Sequence, residues 1–254
     1  IPWPTLLTGM FLIQIFYWST NQTITQRAMA APTVKEAQKG VYAAAFIRVV
    51  FIPSMVVIPG IVAFKLYGDI GDQAYGRIVG DLLPGWLSGI FAAAIAAAVL
   101  SSFNSMVNSS AAMYVCDLHE AYINDKPNLR LLSGVATAIF VIIAVSMVPI
   151  YAQSDSIINL LQELWGLISM PILACFAVGL LFRNVDYRAA IAAVIIGVLM
   201  YAGFIWLWMP LHYIHMSFFT FLTCVAMALL INRFGLGKKA EFIGLQKEQL
   251  QRAV

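Results

Sequence analysis

Two adjacent serines, Ser101 and Ser102, lie in the middle of a long uncharged stretch, AAAIAAAVLSSFNSMVNSSAAMYVC, which runs from residue 92 to residue 116. At about 100° per residue, a helix places them on one face with Ala98, Ser105 and Ser109. One interpretation is packing, because small residues let helices approach closely and serine hydroxyls bond back to carbonyls one turn earlier. The other is a site for a small hard cation, with the two hydroxyls as oxygen ligands and backbone carbonyls completing the shell. The residue types alone leave both open.

A second polar group lies in and after the first apolar segment, GMFLIQIFYWSTNQTITQRAMAA, at residues 9–31. Gln14 interrupts the apolar run, and Tyr17 and Trp18 precede a polar series from Ser19 to Thr23. Aromatic residues at a helix end are typical of a membrane interface. The alternative is a discontinuous helix whose polar part faces a cavity.

Two later apolar runs also contain polar side chains. Arg48 lies well inside the second run, and Gln162 and Glu163 stand near the start of the fifth. An arginine within a membrane is costly and therefore a candidate for function. Its alternative role is to extend its charged end to the cytoplasmic headgroups, since Lys39 is only nine residues away.

These residues belong to a chain with the composition of an integral membrane protein: 254 residues, 61% hydrophobic and 11% charged. The net charge of +3 comes from short loops and the tail, so no nucleic-acid partner is expected. No phosphate-binding G-x-x-x-x-G-K-[ST] motif occurs, which argues against ATP-driven pumping. We expect a protein that performs no covalent chemistry.

Hydrophobicity predicts seven spans, near 3–22, 41–66, 87–116, 131–150, 157–182, 188–208 and 211–232. If the first runs inward, twelve of the fifteen basic residues fall on one side: Arg27, Lys35, Lys39, Lys126, Arg130, Arg183, Arg188, Arg233, Lys238, Lys239, Lys247 and Arg252. Lys65 and Arg77 fall on the other side. Because loops rich in Lys and Arg stay in the cytoplasm, the charge asymmetry predicts a cytoplasmic tail. The tail from Ala240 to Val254 is expected to form a short helix, and His212 and His215 are expected to lie in an outer loop.

Three of these segments resemble the sodium/solute symporter family, especially its bacterial sugar-transporter branch. AAVLSSFNSMVNSSAAMYVCDL is similar to the family's sodium-ligand helix, with its serine pair, its Asn-Ser-Ser element and Asp117. YWSTNQTITQRAMAA resembles the broken sixth core helix and its Y-W-x-x-N-Q-x-x-x-Q-R motif. QELWG, at residues 162–166, resembles the start of the tenth core helix.

The resemblance implies roles for individual residues. Sodium would be the co-transported ion, held by Ala98, Ser101 and Ser102. The solute would be bound by Gln14, in the position of a polar ligand, and by Gln162, which corresponds to a glutamine that hydrogen-bonds the sugar. Tyr17 would close the site on its cytoplasmic side, with Trp18 beside it. Arg48 would stand in place of a substrate-contacting lysine, at matching distance from the preceding Lys-Gly pair.

The implied fold is an all-α membrane protein, part of a five-plus-five inverted-repeat transporter with about seven transmembrane helices in this chain. Residues 1–235 would form the second repeat and two peripheral helices, and 236–254 a cytoplasmic tail. Because the chain begins Ile-Pro-Trp without an initiator Met, we expect it to be incomplete. The resemblance implies that the missing part includes the first repeat.

The implied function is sodium-coupled symport of a sugar or similar polyhydroxylated solute across the cell membrane, most simply a bacterial inner membrane. Two alternatives stay open. One is a symporter for a small carboxylate or amino acid, which an Arg48 lining the site would favour. The other is a transporter-like sensor module, which a signalling domain after Val254 would favour. The residues do not predict an oligomeric state.

Overall fold

The computed structural model describes residues 3–124, 127–154, 156–208 and 211–244. In these ranges the chain is helical apart from turns and two short strands. The α-helices, in chain order, are α1 (Gly9–Ser19), α2 (Gln22–Met29), α3 (Val34–Ile52), α4 (Ile58–Tyr67), α5 (Ala74–Leu82), α6 (Gly85–Ala112), α7 (Leu129–Ala152), α8 (Ile157–Leu181), α9 (Tyr187–Trp206) and α10 (Tyr213–Leu230). Short 3₁₀-helices are Trp3–Leu7 and Gly71–Gln73, and π-helical turns are Pro53–Val57, Met113–Glu120 and Ile231–Gly235. The strands are β1 (Phe182–Arg183) and β2 (Glu241–Phe242).

Six helical segments of the described chain are long and apolar enough to cross a membrane, and they correspond to the second to seventh predicted spans. They are Val34–Tyr67, Gly85–Glu120, Leu129–Ala152, Ile157–Leu181, Tyr187–Trp206 and Tyr213–Gly235. Their outward sides carry exposed aliphatic and aromatic side chains over most of their length. Such surfaces suit a hydrocarbon solvent, in which apolar side chains need no protein cover.

The first predicted span differs from the other six. In place of one helix over 3–22, the structure has the 11-residue helix α1 followed by α2, with Thr20 and Asn21 between them. The backbone N–H and the hydroxyl of Thr20 both donate to the Phe16 carbonyl, at 3.0 Å and 2.9 Å. These bonds close the last turn of α1. The helix end at Ser19 is compatible with both interpretations of the polar series, whereas the single predicted span over 3–22 is wrong.

The chain divides into two compact units, described separately below. The first comprises Ile1–Asn21 and Ile158–Val254, and the second Gln22–Ile157.

In the first unit, α10 is the central helix and packs against both α1 and α9. Leu12 of α1 meets Met170 and Leu173 of α8 in one buried cluster. A second cluster joins Val178, Ala193 and Ala228 from α8, α9 and α10. The unit therefore holds α1 and α8, which carry Gln14 and Gln162, in a single packed body.

The end of this unit contradicts the predicted tail helix where the chain is described. Glu241 and Phe242 form β2, which pairs antiparallel with β1. The buried Asn232 side chain fastens this region, since it accepts from the Asp186 N–H at 2.9 Å and donates to the Asn184 and Lys238 carbonyls. A strand forms here because the backbone of these residues pairs with β1, in the connection between α8 and α9. The rest of the predicted tail helix, 245–254, lies outside the described residues, as do Lys126, Lys247 and Arg252.

The second unit is built around α6. Ala111 and Val115 pack on Ala136 of α7, and α2 contacts both α3 and α6. At Pro53, which lacks a backbone N–H, the helix Val34–Tyr67 passes through a π-helical turn. This unit carries Arg48 on α3 and the serine pair on α6.

Candidate functional site

A group of amide and aromatic side chains lies on α1 in the first unit. Gln14 is exposed, and its Oε1 accepts a hydrogen bond of 3.2 Å from the indole N–H of Trp18, one turn later. Between them, the half-buried Tyr17 meets the Trp18 ring edge-on, with centroids 5.3 Å apart and planes at 85°. Trp18 thus leaves the Gln14 NH₂ group available for a further acceptor.

Tyr17 also connects α1 to α8. Its ring stacks on that of Trp165, with centroids 6.4 Å apart and planes at 27°. Aromatic faces of this kind bind apolar C–H surfaces, while their edges and hydroxyls remain polar. The pair gives the two helices a common aromatic surface beside their amides.

Gln162 is the second amide, and it is held by a residue that the sequence did not single out. The hydroxyl of Tyr213 lies 2.7 Å from Gln162 Oε1 and 3.4 Å from Asn159 Oδ1. Tyr213 begins α10 and is 3% exposed, whereas Gln162 is half-buried. Both neighbouring atoms are acceptors, so the hydroxyl proton is directed to Gln162.

The first turn of α10 also packs closely against the start of α1. Thr8 Oγ1 and His215 Nδ1 are 2.9 Å apart. A Cβ on Gly9 would overlap the Ile214 carbonyl, so only glycine permits this approach. The prediction that His212 and His215 lie in an outer loop is wrong for His215, which lies in the first turn of α10. The helix begins before His215 because a residue three positions earlier caps it.

That capping residue is His212. Its side chain accepts from the Ile214 N–H, and burial lowers the pKa of the imidazole. A lowered pKa favours the neutral ring, and only a neutral ring offers the lone pair that a cap requires.

The serine pair occupies a different environment, in the second unit. Ser101, Ser102 and Ala98 are all exposed on α6. Ala98 lies three and four residues before the serines, so its carbonyl is on the same face. The three residues that the sequence predicts as sodium ligands therefore share one exposed stretch of α6, called the oxygen patch below.

The next two serines of the stripe are engaged with α2. Ser105 Oγ accepts from Arg27 Nη2 at 2.7 Å and donates to the Ser101 carbonyl at 3.0 Å. Ser109 Oγ accepts from Gln26 Nε2 at 2.7 Å and donates to the Ser105 carbonyl at 2.8 Å. The packing interpretation thus describes Ser105 and Ser109, which hold α2 against α6.

The predicted site residues fall into two groups. The first unit brings together Gln14, Tyr17, Trp18 and Gln162, and adds Tyr213 and Trp165. The second contains Ala98, Ser101 and Ser102, together with Arg48, which is exposed on α3.

Only the Q-R of the family motif could have pointed to Gln26 and Arg27 as serine partners. For Tyr213 the sequence carries no signal, because nothing local relates it to a residue 51 positions earlier.

In the part of the chain that the structure describes, six apolar helices are long enough to span a membrane, which indicates a multi-pass membrane protein. The sequence profile of the Sodium:solute symporter family matches residues 1–197. The chain is 35% identical over 212 residues to a Sodium/glucose cotransporter of Vibrio parahaemolyticus, covering 75% of this chain and 39% of that protein. It is 31% identical over 207 residues to an uncharacterized symporter, YidK, of Escherichia coli strain K12, covering 79% and 36%. It is 27% identical over 223 residues to a Sodium/myo-inositol cotransporter 2 of Sus scrofa, covering 79% and 33%.

The chain belongs to the sodium:solute symporter family. The family and these relatives are transporters rather than enzymes. The chain spans less than two fifths of the length of each of these relatives.

Proposed function

We propose that this chain is part of a sodium-coupled symporter for a sugar or a similar polyhydroxylated solute. Within it, residues 1–235 would form the second inverted repeat and two peripheral helices, and 236–254 a cytoplasmic tail. The positively charged loops support a location in the cell membrane with that tail in the cytoplasm.

The observation that carries the ion part is the accessible oxygen patch of Ala98, Ser101 and Ser102. A neutral set of hydroxyl and carbonyl oxygens suits a monovalent cation that must bind and leave in each cycle, since a carboxylate would hold it more strongly. Gln26 and Arg27 support the patch indirectly. They contact α6 one and two turns further along, at Ser105 and Ser109, and do not bond to the hydroxyls of the serine pair.

The amide and aromatic group carries the solute part. Side-chain amides donate and accept hydrogen bonds, as sugar hydroxyls do. In both Gln14 and Gln162 the carbonyl oxygen already accepts one hydrogen bond, from Trp18 and from Tyr213, which leaves the NH₂ group of each amide to meet the solute. The Tyr17–Trp165 pair provides a flat apolar surface for the C–H face of a ring. Two relatives are named for glucose and myo-inositol, both polyols, which agrees with this chemistry.

Arg48 favours a second candidate, a symporter for a small carboxylate or amino acid. A guanidinium binds a carboxylate in a bidentate manner, which an amide cannot match. Arg48 is exposed on a helix of membrane-spanning length, where an arginine is costly unless it has a role. The neutral-solute proposal instead assigns it to hydroxyls or to the headgroup region.

The experiment is uptake by the complete protein in vesicles, with D-glucose, D-galactose and myo-inositol tested against small organic acids, in sodium and in choline. We expect uptake of at least one polyol in sodium only. Gln162→Ala should raise its half-saturation concentration about tenfold, from loss of a buried hydrogen bond. Gln153→Ala, at the exposed end of α7, is the control and should change nothing. Sodium-independent uptake, or uptake of acids alone, would refute the proposal.

A further inference from the structure

The first turn of α10 contacts both helices that carry the proposed solute ligands. Its Tyr213 hydroxyl meets Gln162 of α8, the carbonyl of the next residue faces Gly9 of α1, and His215 meets Thr8. Three consecutive residues of one helix thus fix the two ligand-bearing helices. This helix lies outside the region that the family profile matches, which ends at residue 197.

We propose that Tyr213 is a positioning residue for Gln162 and makes its amide act as a hydrogen-bond donor toward the solute. This inference rests on the proposed function, in which Gln162 contacts the solute. It adds a residue of α10, a helix outside the region that the family profile matches, to the determinants of selectivity.

The argument starts from the two ends of the amide. A glutamine side chain has one acceptor oxygen and one NH₂ donor, and rotation about its last bond exchanges them. Tyr213 breaks this equivalence, because its hydroxyl lies 2.7 Å from Oε1. Within the described residues, Gln162 Nε2 has no hydrogen-bond partner, and the side chain is only half-buried, so a solute can reach it. The NH₂ group is therefore the free end.

Tyr213 is itself fixed in place. It is 3% exposed, and the side chain of His212 caps the helix that it begins. Its other polar neighbour is the Asn159 Oδ1 atom, an acceptor at the longer distance of 3.4 Å. Turning the amide would place its NH₂ group against the hydroxyl and leave the Tyr213 proton without its short partner. The proton would then have only the long contact to Asn159 Oδ1, which is a weaker hydrogen bond, so the observed orientation is favoured.

This orientation selects for solute oxygens that accept. Hydroxyl groups of a sugar or polyol have lone pairs for the Gln162 NH₂ group, whereas an ammonium group has none. Tyr213 thus influences which solute is bound by orienting Gln162, and does not itself contact the solute.

A double-mutant cycle in the complete protein tests this. Uptake of D-glucose, D-galactose and myo-inositol is measured in the wild type, Tyr213→Phe, Gln162→Ala and the double variant. Tyr213→Phe keeps the buried ring and removes one oxygen. We expect it to raise the half-saturation concentration about fivefold to tenfold, with little change in maximal rate, since a free amide presents both ends. In the Gln162→Ala background the same change should have no further effect, because its target is gone.

Tyr187→Phe, an exposed tyrosine at the start of α9, is the matched control and should behave as the wild type. A wild-type response to Tyr213→Phe overturns the inference, as does an equal effect in both backgrounds, which indicates a merely structural role. If Gln162→Ala itself leaves uptake of every polyol unchanged, Gln162 is not a ligand and the inference falls with that assignment. If no polyol is taken up at all, the proposed function fails first. The outcomes are therefore distinguishable.

Discussion

Tyr17 stacks on Trp165 with ring centroids 6.4 Å apart, and each ring lies three residues after a glutamine that carries an amide of the candidate site. Residues three apart share a face of a helix. The spacing from Gln14 to Tyr17 on α1 is thus repeated from Gln162 to Trp165 on α8, and the two rings meet where these faces approach. A flat aromatic surface beside two amides suits the binding of a ring-shaped polyol.

The stack predicts different effects for two substitutions of Tyr17. Tyr17→Phe keeps the ring, so we expect solute half-saturation within about threefold of the wild type. Tyr17→Ala removes the stacking and its buried area, and should raise the value about tenfold or more. Uptake by the complete protein measures both. Tyr42→Ala, at an exposed position of α3, is the control. Equal losses in Tyr17→Phe and Tyr17→Ala would show that the hydroxyl, not the ring, is required.

The oxygen patch on α6 predicts a change in sodium dependence. Ser101→Ala and Ser102→Ala each remove one proposed ligand, and we expect each to raise the sodium concentration for half-maximal uptake about tenfold, with solute affinity restored at high sodium. Ser110→Ala lies nearly opposite on the same helix, where its hydroxyl bonds to the Met106 carbonyl, and should leave sodium dependence unchanged. Wild-type sodium dependence in both test variants at normal membrane levels would reduce the pair to packing.

The contact between α1 and α10 predicts a steric effect on stability. In Gly9→Ala the new methyl group meets the Ile214 carbonyl, which is backbone and cannot rotate away. We expect a loss of about 1–3 kcal/mol, typical of overpacking, and a lower melting temperature in detergent. Gly89→Ala is the matched control, since no atom lies near its added carbon and alanine favours the helix α6. A stable Gly9→Ala protein would show that α1 and α10 can separate without cost.

The sequence predicted the all-helical class and most of the membrane-spanning helices, because such spans carry a strong local signal. Uniform apolarity over about 20 residues identifies a span, and six of the seven predicted spans have a matching helix. The first did not, because the polar series after Trp18 coincides with the end of α1 at Ser19. The partners of the candidate site were much less predictable. Gln162 and Tyr213 meet only through folding, and the two roles of the serine stripe separate only when α2 is seen to engage Ser105 and Ser109 but not the earlier pair. Likewise, the tail forms β2 because β1 offers it backbone partners, which propensity cannot foresee.

The ion pair between Lys238 and Asp186, with Nζ and Oδ2 2.7 Å apart, predicts a dependence of stability on pH. The hydrogen bond from Lys238 lowers the pKa of the Asp186 carboxyl below its ordinary value. A carboxyl with a lowered folded-state pKa contributes stability above the unfolded value, about 3.9, and loses it as the pH falls through the folded value. Lys238→Met should therefore lower the melting temperature at pH 7, and the difference from wild type should vanish on acidification toward pH 3. Because the pair is on the surface, the effect should also shrink in high salt. Lys239→Met, which removes a neighbouring charge outside this pair, serves as control. A difference that persists at pH 3 would mean that Lys238 stabilises through packing alone.

Arg48 distinguishes the two solute classes, because its substitution should have little effect on the binding of a neutral polyol and a large effect on the binding of a carboxylate. If the solute is a neutral polyol, Arg48 contributes at most hydroxyl contacts or a headgroup contact, and Arg48→Lys should leave the order of preference among hexoses intact. Arg48→Gln should then change half-saturation by no more than about threefold, the loss of one exposed hydrogen bond. If the solute is a carboxylate, the bidentate guanidinium is essential. Arg48→Gln should then abolish binding, and Arg48→Lys should impair it severely, since an ammonium cannot reproduce the paired geometry.

The measurement is sodium-dependent binding of hexoses and of small organic acids to the complete protein, compared among the wild type, Arg48→Lys and Arg48→Gln. Arg77→Gln, in an exposed pair with Asp81, controls for the loss of a positive charge. Tight binding of an acid that collapses in Arg48→Gln, with no hexose bound by any form, would replace the polyol by an acid.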